Sequence, residues 1–288
     1  MTGRTLAAII GYPLDHSMSP PLHNAGFAAL GLNVHYEAWP IPIEELPATV
    51  ERLRSDEMLG ISVTVPYKQA VMPLLDEIDP AADAIGSVNT LVRRGRTLVG
   101  YNTDKDGFIR SLREAGCDPA GLRALVLGVG GAERAVAYGL VEAGVASIAL
   151  AGRRPDRVAA AAGHLAVSTP HPVQVDRLPF DEASLTRAAA EAGLIVNTTP
   201  IGMRYSPHEH ESPLPAAALR PGLWVVDIVY NPLETVLLRL AREAGAHAVD
   251  GLGMLVYQGV AQQELWTGRE PPGDIMREAA LAAMMAQE

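Results

Sequence analysis

The sequence predicts an α/β protein of two domains, each built on a mostly parallel sheet. Three observations predict it. The chain has 288 residues, a length suited to about two domains. Short apolar runs bounded by Gly, Pro or Asn alternate with segments of helical spacing. A glycine-rich turn, Gly128-Val129-Gly130-Gly131-Ala132, follows an apolar run and opens a helical segment, as in a Rossmann-type βαβ unit.

Taken in order, residues 6–10, 35–39, 61–65 and 88–92 read as strands, being apolar or β-branched. Residues 20–30 and 44–55 have helical spacing, with Ser19 placed to cap the first helix and Pro20 suited to its first turn. A segment near 101–108 leads into a helix ending about Gly116. The second domain begins with a strand at 124–127, then a helix at 133–143, a strand at 147–151 and a helix at 157–165. Strands at 194–197 and 223–228 continue the rhythm, and helices at 255–266 and 275–285 close it. These elements divide the chain into residues 1–103 with 240–288, and residues 104–239, leaving a cleft between.

Composition narrows the classes of function. Apolar residues make up 48%, ample for buried cores, and a net charge of −10 disfavours nucleic acid or an anionic membrane as partner. A lone cysteine, Cys117, excludes an internal disulfide and a thiolate zinc cluster. The apolar stretch at 6–11 is too short for a secretory segment and no run is long enough to span a bilayer, so a reducing cytoplasm is expected. His208-Glu209-His210-Glu211 lacks the spacing of a helical zinc motif, and no metal is expected.

Chemistry concentrates in a few loops. The glycines at 128–131 let a backbone approach a pyrophosphate resting on free helix N–H groups, although Glu133 takes the third glycine position. After the second strand of that unit comes Gly152-Arg153-Arg154-Pro155-Asp156-Arg157, where an NAD site wants an acid. Arginine suits a ribose 2′-phosphate through its planar, charge-assisted fork, so NADP is the expected dinucleotide. In the first domain, Ser17 and Ser19 flank a helix start, where hydroxyls and free N–H groups suit either capping or a carboxylate ligand. Lys68, in Thr64-Val-Pro-Tyr-Lys68, projects from a strand-to-helix turn, while Asn89 and Asp104 supply an amide and a carboxylate. Ligands gather at the carboxyl ends of parallel strands, so these loops can converge.

Eight ordered segments carry a family resemblance: residues 11–24, 62–68, 86–90, 100–107, 128–132, 197–203, 227–235 and 250–258. Over essentially its whole length the chain resembles the shikimate dehydrogenases, NADP-dependent reductases of aromatic amino-acid biosynthesis. The resemblance implies that Ser17 and Ser19 hold a substrate carboxylate, that Thr64, Asn89, Asp104 and Gln258 bind ring hydroxyls, and that Tyr230 lies near the substrate. Lys68 would be the general acid/base, supported by Asp104. The dinucleotide would rest on Gly128, Val129, Gly130, Gly131 and Ala132, on Gly152, Arg153, Arg154 and Arg157, and on Thr199, with Ile228 and Gly251 lining the nicotinamide. It also implies a small-molecule substrate and a monomer or homodimer. Two departures stand out: Val129 where the family often has Ala, and Gly152-Arg153-Arg154 where it often has Asn-Arg-Thr. A quinate- or aminoshikimate-oxidising relative, or a non-catalytic NADP-binding regulator, is the alternative. Retention of both Lys68 and Asp104 argues against the regulator, which needs no proton donor.

Overall fold

A computed structural model describes residues 5–287. The chain divides into two compact units, one running to Gly107 and resuming at Val256, the other Phe108–Leu255. The return at Val256 lies beyond the expected position at 240. The structure moves it because residues 240–249 complete the second unit's sheet, as described below.

The first unit contains β1 (Thr5–Gly11), α1 (Ser19–Ala29), β2 (Val34–Pro40), α2 (Leu46–Arg52), β3 (Met58–Val63), β4 (Glu77–Ile78), α3 (Pro80–Ile85), β5 (Thr90–Arg94) and β6 (Thr97–Tyr101), and α4 (Asp104–Glu114) begins in it. Its sheet has the order β2-β1-β3-β5-β6-β4. β1 pairs in parallel with β2 and β3, but β5 runs antiparallel to both β3 and β6. The expected parallel run thus ends at β3, and β5 and β6 form a hairpin through a tight turn at Gly95, φ +64°. β1 shows why both faces are covered. Ile10 belongs to the core with Leu53, Ile61 and Leu91, and its neighbour Ile9 to the opposite core with Phe27, Tyr36 and Trp266.

Two local expectations change. Met18, not Ser19, caps α1, and the Ser19 N–H donates to Ser17 Oγ at 3.3 Å, so Ser17 supplies the oxygen. No α-helix follows residues 64–68. Pro66 and Pro73 remove backbone donors, and the segment runs through turns into a single 3₁₀ turn at Met72–Leu74.

The second unit contains β7 (Arg123–Leu127), α5 (Gly131–Glu142), β8 (Ser147–Gly152), α6 (Pro155–Ser168), β9 (Gln174–Pro179), α7 (Glu182–Glu191), β10 (Leu194–Asn197), β11 (Trp224–Asp227), α8 (Val236–Glu243) and β12 (His247–Val249). The sheet order is β12-β11-β10-β7-β8-β9 with every pairing parallel. The chain therefore winds outward from β7 to β9, returns beside β7 as β10, and winds outward again to β12. This is the doubly wound Rossmann order, with its switch point between β7 and β10. β12 and α8 hold residues 240–249 in this unit: β12 pairs with β11, and Ala241 sits in the core with Leu185, Ile195 and Leu237. Two further helices, α9 (Leu252–Thr267) and α10 (Gly273–Met285), carry the chain into the first unit, where α10 packs on α1 and the Trp266 indole N–H donates to the Leu91 carbonyl at 3.0 Å. No helix among the described residues is long and apolar enough to cross a membrane.

Candidate active site

In the first unit, three of the predicted residues, Lys68, Asn89 and Asp104, meet near the carboxyl end of β3 and the start of α4. Gly11 closes β1, and a Cβ there would stand 2.4 Å from the Thr64 side chain, so the bare glycine lets the strand ends close on each other. Lys68 is anchored by its own backbone, whose carbonyl accepts from the Val88 N–H at 2.8 Å. Its Nζ donates to Asp104 Oδ2 at 2.5 Å, with side chains only 12% and 8% exposed. The other oxygen, Asp104 Oδ1, accepts from Asn89 Nδ2 at 2.8 Å. Asp104 opens α4, where a carboxylate suits the positive helix end, and its N–H donates to Asn102 Oδ1 at 3.1 Å.

Asn89 is committed on every side. Its Nδ2 also donates to Thr103 Oγ1 at 3.0 Å, and its Oδ1 accepts from the Thr103 N–H at 2.8 Å and the Thr90 hydroxyl at 2.7 Å. Both amide protons and both lone pairs are taken. Asn89 therefore orients Asp104, and can reach a ligand only by giving up a bond already made. Ser17 is half-buried on the loop after β1, and Ser19 is buried as the first residue of α1. Gln258 lies half-buried on α9, one turn before Gln262. The Gln262 amide donates to the Asn89 carbonyl at 3.2 Å and to Thr90 Oγ1 at 3.0 Å. Residues four apart share a helix face, which puts Gln258 on the side of α9 turned to β5.

The second unit gathers the predicted dinucleotide residues at its switch point. Gly128 has φ +108°, and a Cβ there would lie 2.5 Å from Thr198 Oγ1. That close approach binds the end of β7 to that of β10, where the Thr198 N–H and hydroxyl both reach the Leu127 carbonyl at 2.8 Å. Gly130 caps α5 and opens on free space, as a backbone cradle for a pyrophosphate requires, and Gly131 and Ala132 form the first turn of the helix. Thr199 uses its hydroxyl locally, donating to Asn197 Oδ1 at 2.7 Å and accepting from the Ile201 N–H at 3.2 Å. Ile228 and Gly251 come together, since a Cβ at Gly251 would meet the Ile228 carbonyl oxygen at 2.3 Å. Tyr230 lies half-buried on the same loop as Ile228.

The two family departures touch each other. A Cβ at Gly152 would stand 2.9 Å from both Val129 Cγ2 and Val158 Cγ2. The larger Val129 occupies the space that a side chain at 152 would need. Gly152→Asn should therefore lower the melting temperature, by overpacking worth about 1–3 kcal/mol. The loss should shrink in a Val129→Ala background, and equal losses in both would refute the pairing.

The arginines after β8 are not equivalent. Arg154 Nη2 is paired with Asp156 Oδ2 at 2.8 Å, whereas no ion pair engages Arg153 among the described residues. Arg153, Arg154 and Arg157 are all exposed, and Arg153 is the readier donor to an arriving phosphate.

Glu133, one residue beyond the glycine turn, is 2% exposed, and its Oε2 has no hydrogen-bond partner. Burial pushes its carboxyl up to about 8, so it is uncharged at neutral pH and does not repel a pyrophosphate. The linkage has a definite sign. A carboxyl raised on folding stabilises fully below its unfolded pKa, near 4.5, and loses that contribution as pH rises through about 8. Glu133→Gln should thus match the parent's melting temperature near pH 4.5 and exceed it increasingly toward pH 8. A pH-independent difference would contradict the buried neutral acid.

Sequence reasoning missed Asp227. Fully buried at the end of β11, it accepts from Asn197 Nδ2 at 2.9 Å, the Val229 N–H at 3.1 Å and the Thr235 hydroxyl at 2.8 Å. Burial outweighs these bonds and raises its carboxyl to about 6. Its signal was available: Asn197 and Asp227 end two adjacent parallel strands, where side chains meet. Burial also raises the Cys117 thiol to about 11, which makes it a poor nucleophile.

Comparison with known proteins identifies the family. Residues 9–91 match the model of the shikimate dehydrogenase substrate binding domain, and residues 251–281 that of the shikimate 5′-dehydrogenase C-terminal domain. The chain is 49% identical to a shikimate dehydrogenase (NADP(+)) of Moorella thermoacetica, over 98% of this chain and 94% of that protein. The crystal structure of shikimate 5-dehydrogenase from Thermus thermophilus with NADP(H) and shikimate superposes with a TM-score of 0.84, at 37% identity over 97% of this chain and 99% of that one. Quinate dehydrogenase from Corynebacterium glutamicum with NAD gives a TM-score of 0.88, at 33% identity over 96% and 99%. With matches along nearly its whole length to shikimate dehydrogenases, one of them at 49% identity, the chain belongs to the shikimate dehydrogenase family.

Proposed function

We propose that this protein is an NADP-dependent shikimate dehydrogenase, catalysing the reversible reduction of 3-dehydroshikimate to shikimate in aromatic amino-acid biosynthesis. The observation that carries the reading is the Lys68–Asp104 pair, 2.5 Å apart at the carboxyl ends of the first unit's strands, in a chain of this family. The first unit holds the substrate and the second the dinucleotide. Ser17 and Ser19 receive the substrate carboxylate beside the start of α1, and Thr64, Asp104 and Gln258 receive its hydroxyls. Asp104 can do so because each of its oxygens keeps a second lone pair beside Lys68 and Asn89. Tyr230 is assigned to the substrate by the family resemblance.

The residues at the switch point fit NADP: a positive-φ glycine at 128, an open cradle at Gly130, the N-terminus of α5, and arginines after β8 in place of an acid. When bound, the nicotinamide supplies hydride to the substrate carbonyl carbon. Lys68 Nζ delivers a proton to the oxygen on which negative charge develops, and takes it back in the reverse direction. Asp104 holds that ammonium in place, so the proton is aimed before charge appears. Gly128, Gly130, Gly131 and Ala132 present backbone to the pyrophosphate, with Val129 filling the turn. Arg153 leads Arg154 and Arg157 on the 2′-phosphate, and Thr199, Ile228 and Gly251 shape the nicotinamide end.

A second reading, oxidation of quinate, is favoured by the likeness to the Corynebacterium quinate dehydrogenase. Initial rates of purified protein with shikimate and quinate, each with NADP and NAD, decide between them. The expected result is shikimate with NADP fastest and NADP preferred by at least about tenfold, one charge-assisted contact being worth roughly 1.5–3 kcal/mol. Arg153→Ala should raise KM for NADP and leave NAD nearly unaffected. Equal use of both dinucleotides by the parent would refute the arginine assignment. The sole, buried thiol suits a reducing cytoplasm. A monomer or homodimer is expected, to be read from light scattering.

A further inference from the structure

The hydrogen bonds behind Asp104 continue well beyond the residues that meet the substrate, and their direction is fixed at every link. The Asn89 carbonyl can only accept, so the group of Gln262 that lies 3.2 Å from it is the NH₂, which also reaches Thr90 Oγ1 at 3.0 Å. Gln262 Oε1 then faces Ser62, whose hydroxyl donates to it at 2.8 Å. Ser62 has one proton, so the Tyr36 hydroxyl, 2.6 Å away, must donate to Ser62. On the other side, Thr90 has received a proton from Gln262 and passes its own to Asn89 Oδ1 at 2.7 Å. The Thr103 N–H can only donate, which also sets Oδ1 on that side of Asn89 and leaves Nδ2 to donate to Asp104 Oδ1 at 2.8 Å.

The result is one polarised file, Tyr36 to Ser62 to Gln262 to Thr90 to Asn89 to Asp104, with every proton pointing toward the carboxylate. All six side chains are buried, Gln262 1% and Thr90 0% exposed, so no water stands ready to replace a missing link. Bonds in such a series polarise one another, and the low dielectric around them strengthens each. The far end is held as well: the Tyr36 ring stacks on His23 at 4.2 Å, and the neighbouring Gln263 amide donates to the His23 carbonyl at 2.8 Å. Burial lowers the His23 imidazole to about 3, so it stays neutral and places no charge beside the file.

We propose that Gln262 is a positioning residue for the Lys68–Asp104 pair, acting through Thr90 and Asn89, with Ser62 and Tyr36 holding its amide in the one orientation that works. The inference rests on the reading of Lys68 and Asp104 as the reacting pair. Without the Gln262 amide, Thr90 loses the donor that orients its hydroxyl, and Asn89 loses one of the two constraints that keep Nδ2 on Asp104, the Thr103 N–H being the other. The ammonium then samples geometries from which proton transfer is slower.

The test compares Gln262→Met, Gln262→Glu and Tyr36→Phe with the parent chain. Gln262→Met keeps length without polarity. Gln262→Glu keeps an acceptor for Ser62 but donates to neither Asn89 nor Thr90. Tyr36→Phe keeps the ring on His23 and removes only the first donor. Melting curves and circular dichroism first establish the folded fraction. Per folded molecule, both Gln262 variants should lose about tenfold in kcat for shikimate oxidation, with KM for NADP unchanged, and Tyr36→Phe about twofold to threefold. The primary deuterium isotope effect on kcat should rise in the Gln262 variants, because the chemical step becomes more limiting; a loss of folded protein alone does not move it. Adding Tyr36→Phe to Gln262→Met should cost nothing further, since the file is already cut. Parent-like kcat and isotope effect in folded Gln262→Met would overturn the proposal. A parent chain without turnover on shikimate would instead overturn the functional reading. The Asn89 side-chain amide resonance then decides the positioning role alone: it supports the role by shifting and exchanging faster in Gln262→Met, and refutes it by staying unchanged.

Discussion

Lys68→Ala is expected to lower kcat for shikimate oxidation by roughly 10²–10⁴, the usual worth of a positioned general acid–base group. The change in KM for shikimate should be smaller, because proton transfer belongs to the transition state and not to the bound ground state. The variant removes the ammonium but leaves Asp104 held by Asn89, so the carboxylate should keep its place. Burial of an unpaired carboxylate is unfavourable, yet Asp104 sits at the start of α4, where the helix end compensates part of the charge. Steady-state kinetics in both directions check this, and wild-type-like turnover would remove Lys68 from the mechanism.

The second large effect is expected from Asp227→Ala. Three donors converge on this carboxylate from three places: the end of β10, the loop after β11 and the cap of α8, where Thr235 Oγ1 also receives the Leu238 N–H at 3.3 Å. Removing the acceptor leaves one Asn197 amide proton and the Thr235 hydroxyl proton buried without an acceptor, although the Asn197 amide keeps the Ile201 carbonyl and Thr235 Oγ1 keeps the Leu238 N–H. A loss of about 3–5 kcal/mol follows, a fall in melting temperature on the order of 10 °C for a unit of this size. NADP affinity should fall with it, since the strand end that positions Thr198 and Thr199 is tied to the same carboxylate through Asn197. Asp227→Asn should fall between, because an amide oxygen still accepts from Thr235 or Asn197 but one donor is left facing another. An Asp227→Ala chain that melts like the parent would show that the three bonds contribute nothing net.

What could be read from the residues alone was whatever is written locally. The glycine turn at 128–131 sits between a recognisable strand and helix, so its use as a backbone cradle follows from spacing. Asp104 begins α4 and Lys68 lies in the turn segment that follows β3, and parallel-strand geometry brings such ends together. What stayed hidden depends on partners distant in sequence. β5 pairs antiparallel with β3, and nothing within 88–92 distinguishes that from a parallel strand. Ser19 has the composition of a cap, but the turn of the chain gives the oxygen to Ser17. β9 is an edge strand with half its residues polar and β12 an edge strand of only 3 residues, so their periodicity is weak. Gln262 lies on a helix whose other residues are mostly apolar, and only its contact with Asn89 and Thr90 separates it from an ordinary buried amide. Val129 and Gly152 each look like minor departures until the structure places them side by side.

The bonds from Ser62 to Gln262 and from Leu91 to Trp266 join residues 200 and 175 positions apart. On the ribosome this sets an order of events. Residues 108–255 form a contiguous unit and can complete their sheet as they emerge, whereas β3 and β5 wait for α9 to be synthesised before their buried polar groups and the indole of Trp266 are matched. The substrate side of the enzyme is therefore begun first and finished last. During that interval its apolar sheet face is open to solvent and to other nascent chains, so slowed elongation through residues 108–255 should increase aggregation of this protein more than that of a chain whose N-terminal domain is contiguous.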